Sequence, residues 1–220
     1  MHLISIYSSP AIYLLYFYNL APTNRDMLKR NTISFFSQWM KSPRSVGSVV
    51  PSSPFLAKKM AKQINIDTPG MIIELGGGTG SLTRVLLHYI PPERLIVIES
   101  NQHLVNILRD SFPDVRILHT NAMQLGRALK DNGITDVNAI VSGLPLLSIK
   151  TSTRHKILAA SFSQLRPGRQ FLQFTYGPKS PVSKAIITKY DLDAKVVASS
   201  WLNIPPARIW AYRKKNTPES

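Results

Sequence analysis

No cysteine occurs anywhere in the 220 residues, which excludes disulfides, cysteine-based zinc sites and thiol nucleophiles. Acidic residues are scarce: 12 Asp and Glu stand against 27 Lys and Arg, a formal net charge of +15. Long apolar runs are missing too. A spanning helix needs about 20 apolar residues. The most apolar stretch, Ala11–Leu20, is too short, and Ser5, Ser8, Ser9, Pro10, Asn19 and four tyrosines break up its surroundings. The basic start and small-residue cleavage site of a secretory signal are also absent. The five histidines (His2, His88, His103, His119, His155) show no metal-ligand spacing and no Ser-His-Asp logic, so no metal is expected. What remains is a chain with a near-average apolar share. It is long enough for one sizeable α/β domain and too short for two.

The basic excess is unevenly placed. Residues 1–70 carry eight Lys/Arg against two Asp/Glu, residues 71–150 seven against seven, and residues 151–220 twelve against three. A neutral centre with basic flanks points to a polyanionic partner, either nucleic acid or an anionic membrane surface. Residues 1–26 form an apolar extension that reads as an interfacial segment, with tyrosines at headgroup depth, or as a mis-assigned leader if Met27 is the biological start. Met27–Lys41 follows, with Leu28, Ile33, Phe35, Phe36, Trp39 and Met40 set among Lys29, Arg30 and Lys41. That is the pattern of a basic amphipathic helix lying on an anionic bilayer, or of a helix anchored to the core through Trp39. A loop then leads to Ser52, Ser53 and Pro54, an N-cap and first-turn proline opening a helix to Ile64. Ser52 and Ser53 are also placed to receive a carboxylate or phosphate.

The stretch that organises the rest is Met71-Ile-Ile-Glu-Leu-Gly-Gly-Gly-Thr-Gly80. Apolar residues and a carboxylate run into four glycines, and an amphipathic pattern follows: a buried strand, a tight turn and the first turn of a helix. Glycines let the backbone turn sharply and let a ligand sit against main-chain N–H groups. The last glycine comes one residue earlier than in the dinucleotide fingerprint, and Glu74 precedes the turn. This run resembles the S-adenosylmethionine (SAM) loop of class I methyltransferases. The resemblance implies that Glu74 faces the methionine end of the cofactor and that Gly76, Gly77, Gly78 and Gly80 line it.

A second buried strand, Leu95–Glu99, ends in an acid about 20 residues on, where a carboxylate can accept both ribose hydroxyl protons. Ser100 follows it. A short helix from Gln102 and a third strand, Val115–His119, lead to Asn121-Ala122, where many methyltransferases carry Asp-Ala. The Asn121 amide oxygen can still accept from an adenine amino group. Strand four, Val137–Val141, runs into Ser142-Gly-Leu-Pro-Leu-Leu147, whose Ser142, Gly143, Leu144 and Pro145 would border the crevice at the ends of strands one and four. A helix over Thr151–Leu165 precedes strand five, Arg169–Tyr176, which places Tyr176 at the same crevice. After a short helix within Pro181–Lys189, Ala194–Trp201 and Ala207–Arg213 form a closing hairpin, and residues 214–220 a solvated tail.

Together, Pro43–Ser53 (with Val-Pro-Ser-Ser), Glu74–Gly80, Ser142–Leu147, Gln173-Phe-Thr-Tyr-Gly-Pro178 and Pro205–Trp210 make the span from Phe35 to Arg213 resemble the bacterial phospholipid N-methyltransferases. Gly77 departs from the family, which often has proline there, and a looser loop is expected. The resemblance implies a class I SAM-methyltransferase (Rossmann-like) fold. That is a seven-stranded, mostly parallel sheet with helices on both faces, an antiparallel C-terminal strand and an N-terminal amphipathic helix. The chain is then read as an extension to residue 26, helices over 27–66 that face membrane or substrate, a SAM domain over 67–213 and a tail over 214–220.

It also implies methylation of phosphatidylethanolamine towards phosphatidylcholine by a monomeric enzyme, peripheral on the cytoplasmic face of the inner membrane. Ethanolamine nitrogen must lose a proton before attack, and Tyr176 is the expected relay. The Ser142 and Gly143 backbone would hold the amine. Tyr176 and Trp39 offer aromatic faces for a methylated ammonium. The rival is an rRNA adenine dimethyltransferase, whose strand-four motif reads Asn-x-Pro-Tyr/Phe. Here Ser142-Gly-Leu-Pro-Leu146 lacks both the amide and the stacking ring, so nucleic acid is disfavoured as a partner. A methyltransferase-fold binding protein without activity is a further alternative, disfavoured by the intact set of Glu74, glycines and Glu99.

Overall fold

The computed structural model describes residues 54–176, 179–200 and 207–215. The apolar stretch 1–26, the amphipathic helix expected over 27–41 with Trp39, the cap residues Ser52 and Ser53, and the break at 177–178 lie outside the described residues.

Helix α1 (Pro54–Ala61) precedes strand β1 (Met71–Leu75), helix α2 (Ser81–Leu86), strand β2 (Leu95–Glu99), helix α3 (Gln102–Ser111) and strand β3 (Arg116–His119). Helix α4 (Leu125–Asp131), strand β4 (Val137–Ser142), helix α5 (Thr151–Phe162) and strand β5 (Gln170–Tyr176) follow. Helix α6 (Lys184–Lys189) and strands β6 (Leu192–Ser200) and β7 (Ala207–Lys214) complete the described chain. The sheet order is β3-β2-β1-β4-β5-β7-β6. Strands β1 to β5 are parallel, whereas β7 runs antiparallel between β5 and β6. The seven strands, the covered faces and the antiparallel end are those anticipated from the sequence.

Continuous apolar runs such as Leu95–Ile98 make strands buried on both faces, as a parallel sheet requires. One face packs Leu56, Met60, Leu82, Leu86, Val105 and Leu108 from α1, α2 and α3 on Ile72, Val97, Val141 and Leu172. The other packs Leu125, Leu129, Ile157, Leu158 and Phe162 from α4 and α5 on Ile73, Ile96, Ile140 and Phe171. Helix α1, assigned by sequence to the membrane-facing segment, belongs to this core through Leu56, Ala57, Met60 and Ala61.

Several helix and strand ends shift by one to three residues from the sequence reading, and three differences have a clear physical cause. Helix α4 has no periodic signature, being only seven residues long with Gly126 inside it, and it is held by the burial of Leu125 and Leu129. Helix α6 starts at Lys184, because the Ser183 side chain accepts from the Ile186 N–H and caps it there, three residues beyond Pro181. Strand β6 begins at Leu192, lies at the edge of the sheet among the described strands, and carries a bulge between Val196 and Ala198, a device that disfavours further pairing.

At the end of the sheet away from the strand tips, the Arg94 guanidinium donates to the carbonyls of Ile66 (2.6 Å), Thr68 (2.6 Å) and Gly70 (2.9 and 3.3 Å). The Asn138 amide donates to the Asn65 (2.9 Å) and Thr68 (3.0 Å) carbonyls. These bonds tie the turn before β1 to the sheet. Charge-assisted bonds contribute more than neutral ones, so Arg94→Ala is expected to lower unfolding stability by about 3 kcal/mol in urea titration. Cofactor affinity should be unchanged, because the clamp lies at the opposite end from the glycine turn. A loss under about 1 kcal/mol would show the clamp to be dispensable.

Candidate functional site

Chain direction reverses its sense of growth at β1: the next strands lie at β2 and β3 on one side and at β4 and β5 on the other. Such a switch point opens a crevice at the carboxyl ends of the strands. Leu75 and Ser142 are register partners there, and Ser142 pairs in turn with Gln173.

The glycine turn fills one side of the crevice. Gly80 has φ 80°, and a Cβ on it would stand 2.4 Å from the Phe112 ring, so both the backbone conformation and the neighbour demand glycine. A Cβ at Gly77 would lie 2.5 Å from Val97 Cγ1. The absence of a side chain at Gly77 lets the turn press onto β2. Gly78, by contrast, has nothing within 4 Å of its Cβ position and presents open space to a ligand.

Glu99 closes the second side. Its Oε2 accepts from the Gly78 N–H (3.0 Å), and its Oε1 accepts from the N–H groups of Ser100 (2.8 Å) and Asn101 (2.9 Å). Three of its roughly four lone-pair positions are therefore taken. The lone pair left on Oε2 can take one ligand hydroxyl, and a diol that binds both oxygens shares or displaces one of the two backbone donors on Oε1. Ser100 is exposed, and its carbonyl meets His119 Nε2 at 3.1 Å. Asn121 is exposed with its amide oxygen on the Met123 N–H (2.9 Å), capping the turn at Ala122–Gln124. It keeps one lone pair and the amide NH2 for an adenine edge, so its cap role is added to the one expected. Ala122 is buried beneath it.

Glu74 is fully buried. Among the described residues neither carboxylate oxygen has a hydrogen-bond partner of good geometry. Burial pushes its pKa from 4.5 up to about 8. The adjacent Thr83 hydroxyl and N–H oppose the shift, and the Glu99 charge adds to it. The Thr83 hydroxyl is likewise buried without a well-formed bond. An orphaned carboxyl under the glycine turn suits a cationic or donor-rich ligand, such as the methionine end of SAM. Thr83 is a residue that sequence reasoning missed, because a helix threonine carries no motif.

The loop after β4 forms the far wall. The Gly143 N–H donates to the Leu75 carbonyl (2.8 Å), and the Leu144 N–H meets Ser142 Oγ at 3.3 Å. A Cβ at Gly76 would lie 2.5 Å from Leu144 Cδ2, so the β4 loop rests directly on the first glycine. The Gly143 N–H is thus spent within the sheet, so the loop would meet an amine through its acceptors, its carbonyls and the Ser142 hydroxyl. Pro145 and Leu147 are exposed, and Leu146 is buried. Tyr176 ends β5 half-buried, edge-on to Phe174 with ring centroids 5.7 Å apart. The structure therefore gathers Glu74, the glycines, Glu99, Ser100, Asn121, Ala122, Ser142–Pro145 and Tyr176 at one end of the sheet. Trp39, Ser52 and Ser53 are not among the described residues. A separate groove lined by Arg109, His119, Gln124 and Arg127 lies at β3, the edge strand among those described, away from the β1/β4 switch.

The chain is similar to known methyltransferases in sequence and in fold. The model of the family described as ribosomal RNA adenine dimethylase matches residues 41–190. A curated relative, the ornithine lipid N-methyltransferase of Singulisphaera acidiphila, is 28% identical over 148 residues, 66% of this chain and 77% of its own. The ribosomal RNA small subunit methyltransferase A of Malacoplasma penetrans is 29% identical over 110 residues, 50% of this chain and 39% of its own. Among solved structures, the N-methyltransferase NodS of Bradyrhizobium japonicum WM9 with S-adenosyl-L-homocysteine superposes with a TM-score of 0.57 at 13% identity. The match covers 83% of this chain and 98% of that one, a likeness of fold. The architecture is the class I methyltransferase fold and the cofactor is S-adenosyl-L-methionine; the chain belongs to the ribosomal RNA adenine dimethylase family.

Proposed function

We propose that this methyltransferase N-methylates the amino headgroup of a membrane lipid, phosphatidylethanolamine towards phosphatidylcholine, while docked on the anionic cytoplasmic face of the inner membrane. The observation that carries this reading is the acceptor wall. Ser142-Gly-Leu-Pro-Leu-Leu147 sets Leu144 against Gly76 and buries Leu146. An enzyme acting on an extruded base needs an amide to hold the exocyclic amine and a ring to stack on the base. Neither stands in this loop. The ornithine lipid N-methyltransferase relative supports an amine-bearing lipid as acceptor, and its headgroup is the natural second candidate. The basic flanks supply attraction to anionic lipid. No helix among the described residues is long and apolar enough to cross a membrane.

Bound, the cofactor supplies an activated methyl group at its sulfonium. Glu74 and the glycine turn would hold its methionine part, Glu99 the ribose diol, and Asn121 and Ala122 the adenine. The protein's own contribution is orientation and removal of one ammonium proton from the acceptor. The Tyr176 hydroxyl, at the tip of β5, is the proposed relay for that proton. The aromatic faces of Tyr176 and Phe174 suit an ammonium gaining methyl groups.

Purified full-length protein, labelled SAM and liposomes containing phosphatidylethanolamine and an anionic lipid are expected to give labelled lipid. Parallel arms carry ornithine lipid and ribosomal RNA. Label in ornithine lipid alone would move the acceptor to that headgroup. Label confined to RNA would overturn the lipid reading and favour the activity for which the matched family is named.

A further inference from the structure

Gln173 lies in the middle of β5, paired in register with Ser142 on one side and Trp210 on the other. It is 1% exposed. A buried amide in the interior of a sheet is costly unless its groups are satisfied, and this one is satisfied on one side only. Its Nε2 donates to the Leu144 carbonyl (3.0 Å) and to the Phe174 carbonyl (2.8 Å), whereas Oε1 has no partner among the described residues. An apolar residue of the same size would avoid that penalty, so the fold alone does not call for glutamine here.

The bond to Leu144 reaches the acceptor wall. The Leu144 carbonyl also accepts the Leu146 N–H (2.9 Å), closing the tight turn through Pro145. The Leu144 side chain occupies the space above Gly76. One side-chain nitrogen thereby couples strand β5, which carries Tyr176 at its tip, to the β4 loop and through it to the cofactor turn. The neighbouring Thr175 hydroxyl accepts from the Trp210 indole (3.2 Å), which fixes the opposite side of the same strand end.

We infer that Gln173 is a positioning residue: its amide sets the distance between the β4 acceptor loop and the β5 tip, and so the alignment of acceptor amine and methyl donor. It touches neither reactant. Misplacing a reacting group by a fraction of an ångström to an ångström slows a transfer strongly while binding changes little. The kinetic part of this inference rests on the lipid reading above; the structural part does not.

The test uses Gln173→Met, close in size and without the donor, and Gln173→Asn, which keeps an amide but draws it back by one methylene. Hydrogen exchange of the full chain is expected to show at least about tenfold faster exchange in the segment around residues 142–147, with the strands unchanged. With phosphatidylethanolamine vesicles and labelled SAM, kcat should fall about tenfold, while SAM affinity by calorimetry stays within about threefold. Thermal unfolding of Gln173→Met should stay cooperative, with an unchanged or raised midpoint, because the unpartnered oxygen is gone. Unchanged loop exchange, or a wild-type kcat, overturns the inference. So does loss of cooperative unfolding in both variants, since the amide would then be holding the sheet rather than the loop. If the wild-type protein methylates no lipid, the proposed function falls by itself, and loop exchange still decides the role of Gln173.

Discussion

Glu99→Ala is expected to weaken S-adenosyl-L-methionine binding by at least about 100-fold. Hydrogen bonds to a charged group contribute roughly 1.5–3 kcal/mol each, and a ribose diol offers two of them to this carboxylate. Each 1.4 kcal/mol is about tenfold in affinity, so losing both bonds reaches the stated figure. The structure adds a second cost. Without the carboxylate, the N–H groups of Gly78, Ser100 and Asn101 lose their common acceptor, and the glycine turn is no longer drawn towards the tip of β2. Glu99→Gln separates the two effects. It keeps one acceptor oxygen and the side-chain volume, so it should retain the turn and lose a smaller part of the affinity. Calorimetry with S-adenosyl-L-methionine and S-adenosyl-L-homocysteine on the three proteins is the measurement. Equal affinity in Glu99→Ala and wild type would remove Glu99 from the cofactor site.

The fold was legible because the strands are written in nearly unbroken apolar runs. Met71–Leu75, Leu95–Ile98 and Val137–Val141 admit little else when glycines, prolines and asparagines bound them so closely. Helix α4 was not legible. Its stability comes from Leu125 and Leu129 meeting α5 and the sheet, a tertiary fact that a seven-residue window does not carry. The place of β7, between β5 and the edge strand, follows from the closing hairpin but is fixed only by its seven-residue register with β5.

The site was legible where chemistry needs a motif and hidden where it needs an environment. Glycines before a helix and an acid ending strand two announce themselves by spacing. That Glu99 is already held by three backbone donors, that Asn121 spends its oxygen on a cap, and that Leu144 rests on Gly76 all depend on atoms brought together by folding. Gln173 appears in the sequence only inside the Gln-Phe-Thr-Tyr-Gly-Pro run. Its half-satisfied amide is visible only in the packed sheet.

The same distinction governs the second large effect, on Glu74. The sequence marks it as the acid before the glycines. The structure shows a carboxyl without solvent, whose pKa is pushed up to about 8, so it carries a proton at neutral pH in the free protein. A cationic cofactor beside it favours the ionised form, and binding then releases that proton. Affinity is therefore expected to rise with pH, by up to about tenfold per unit between roughly pH 6 and 8, and to level off above. Glu74→Gln removes the titrating group. Its affinity should stay near the wild-type value at low pH and fall increasingly behind as pH rises. The cofactor's own amino group titrates near 7.7–8.0, but it does so against both proteins, and the difference between them isolates Glu74. Stability without cofactor moves the other way. Between 4.5 and about 8 the folded state holds this proton and the unfolded chain does not. The contribution of Glu74 is therefore complete below pH 4.5 and declines by up to about 1.4 kcal/mol per unit as pH rises to 8. Glu74→Gln should flatten that decline in urea titrations at pH 5, 6.5 and 8, while calorimetry in two buffers of different ionisation enthalpy detects the released proton. A wild-type affinity independent of pH, matched by Glu74→Gln throughout, would show that this carboxyl does not meet the cofactor.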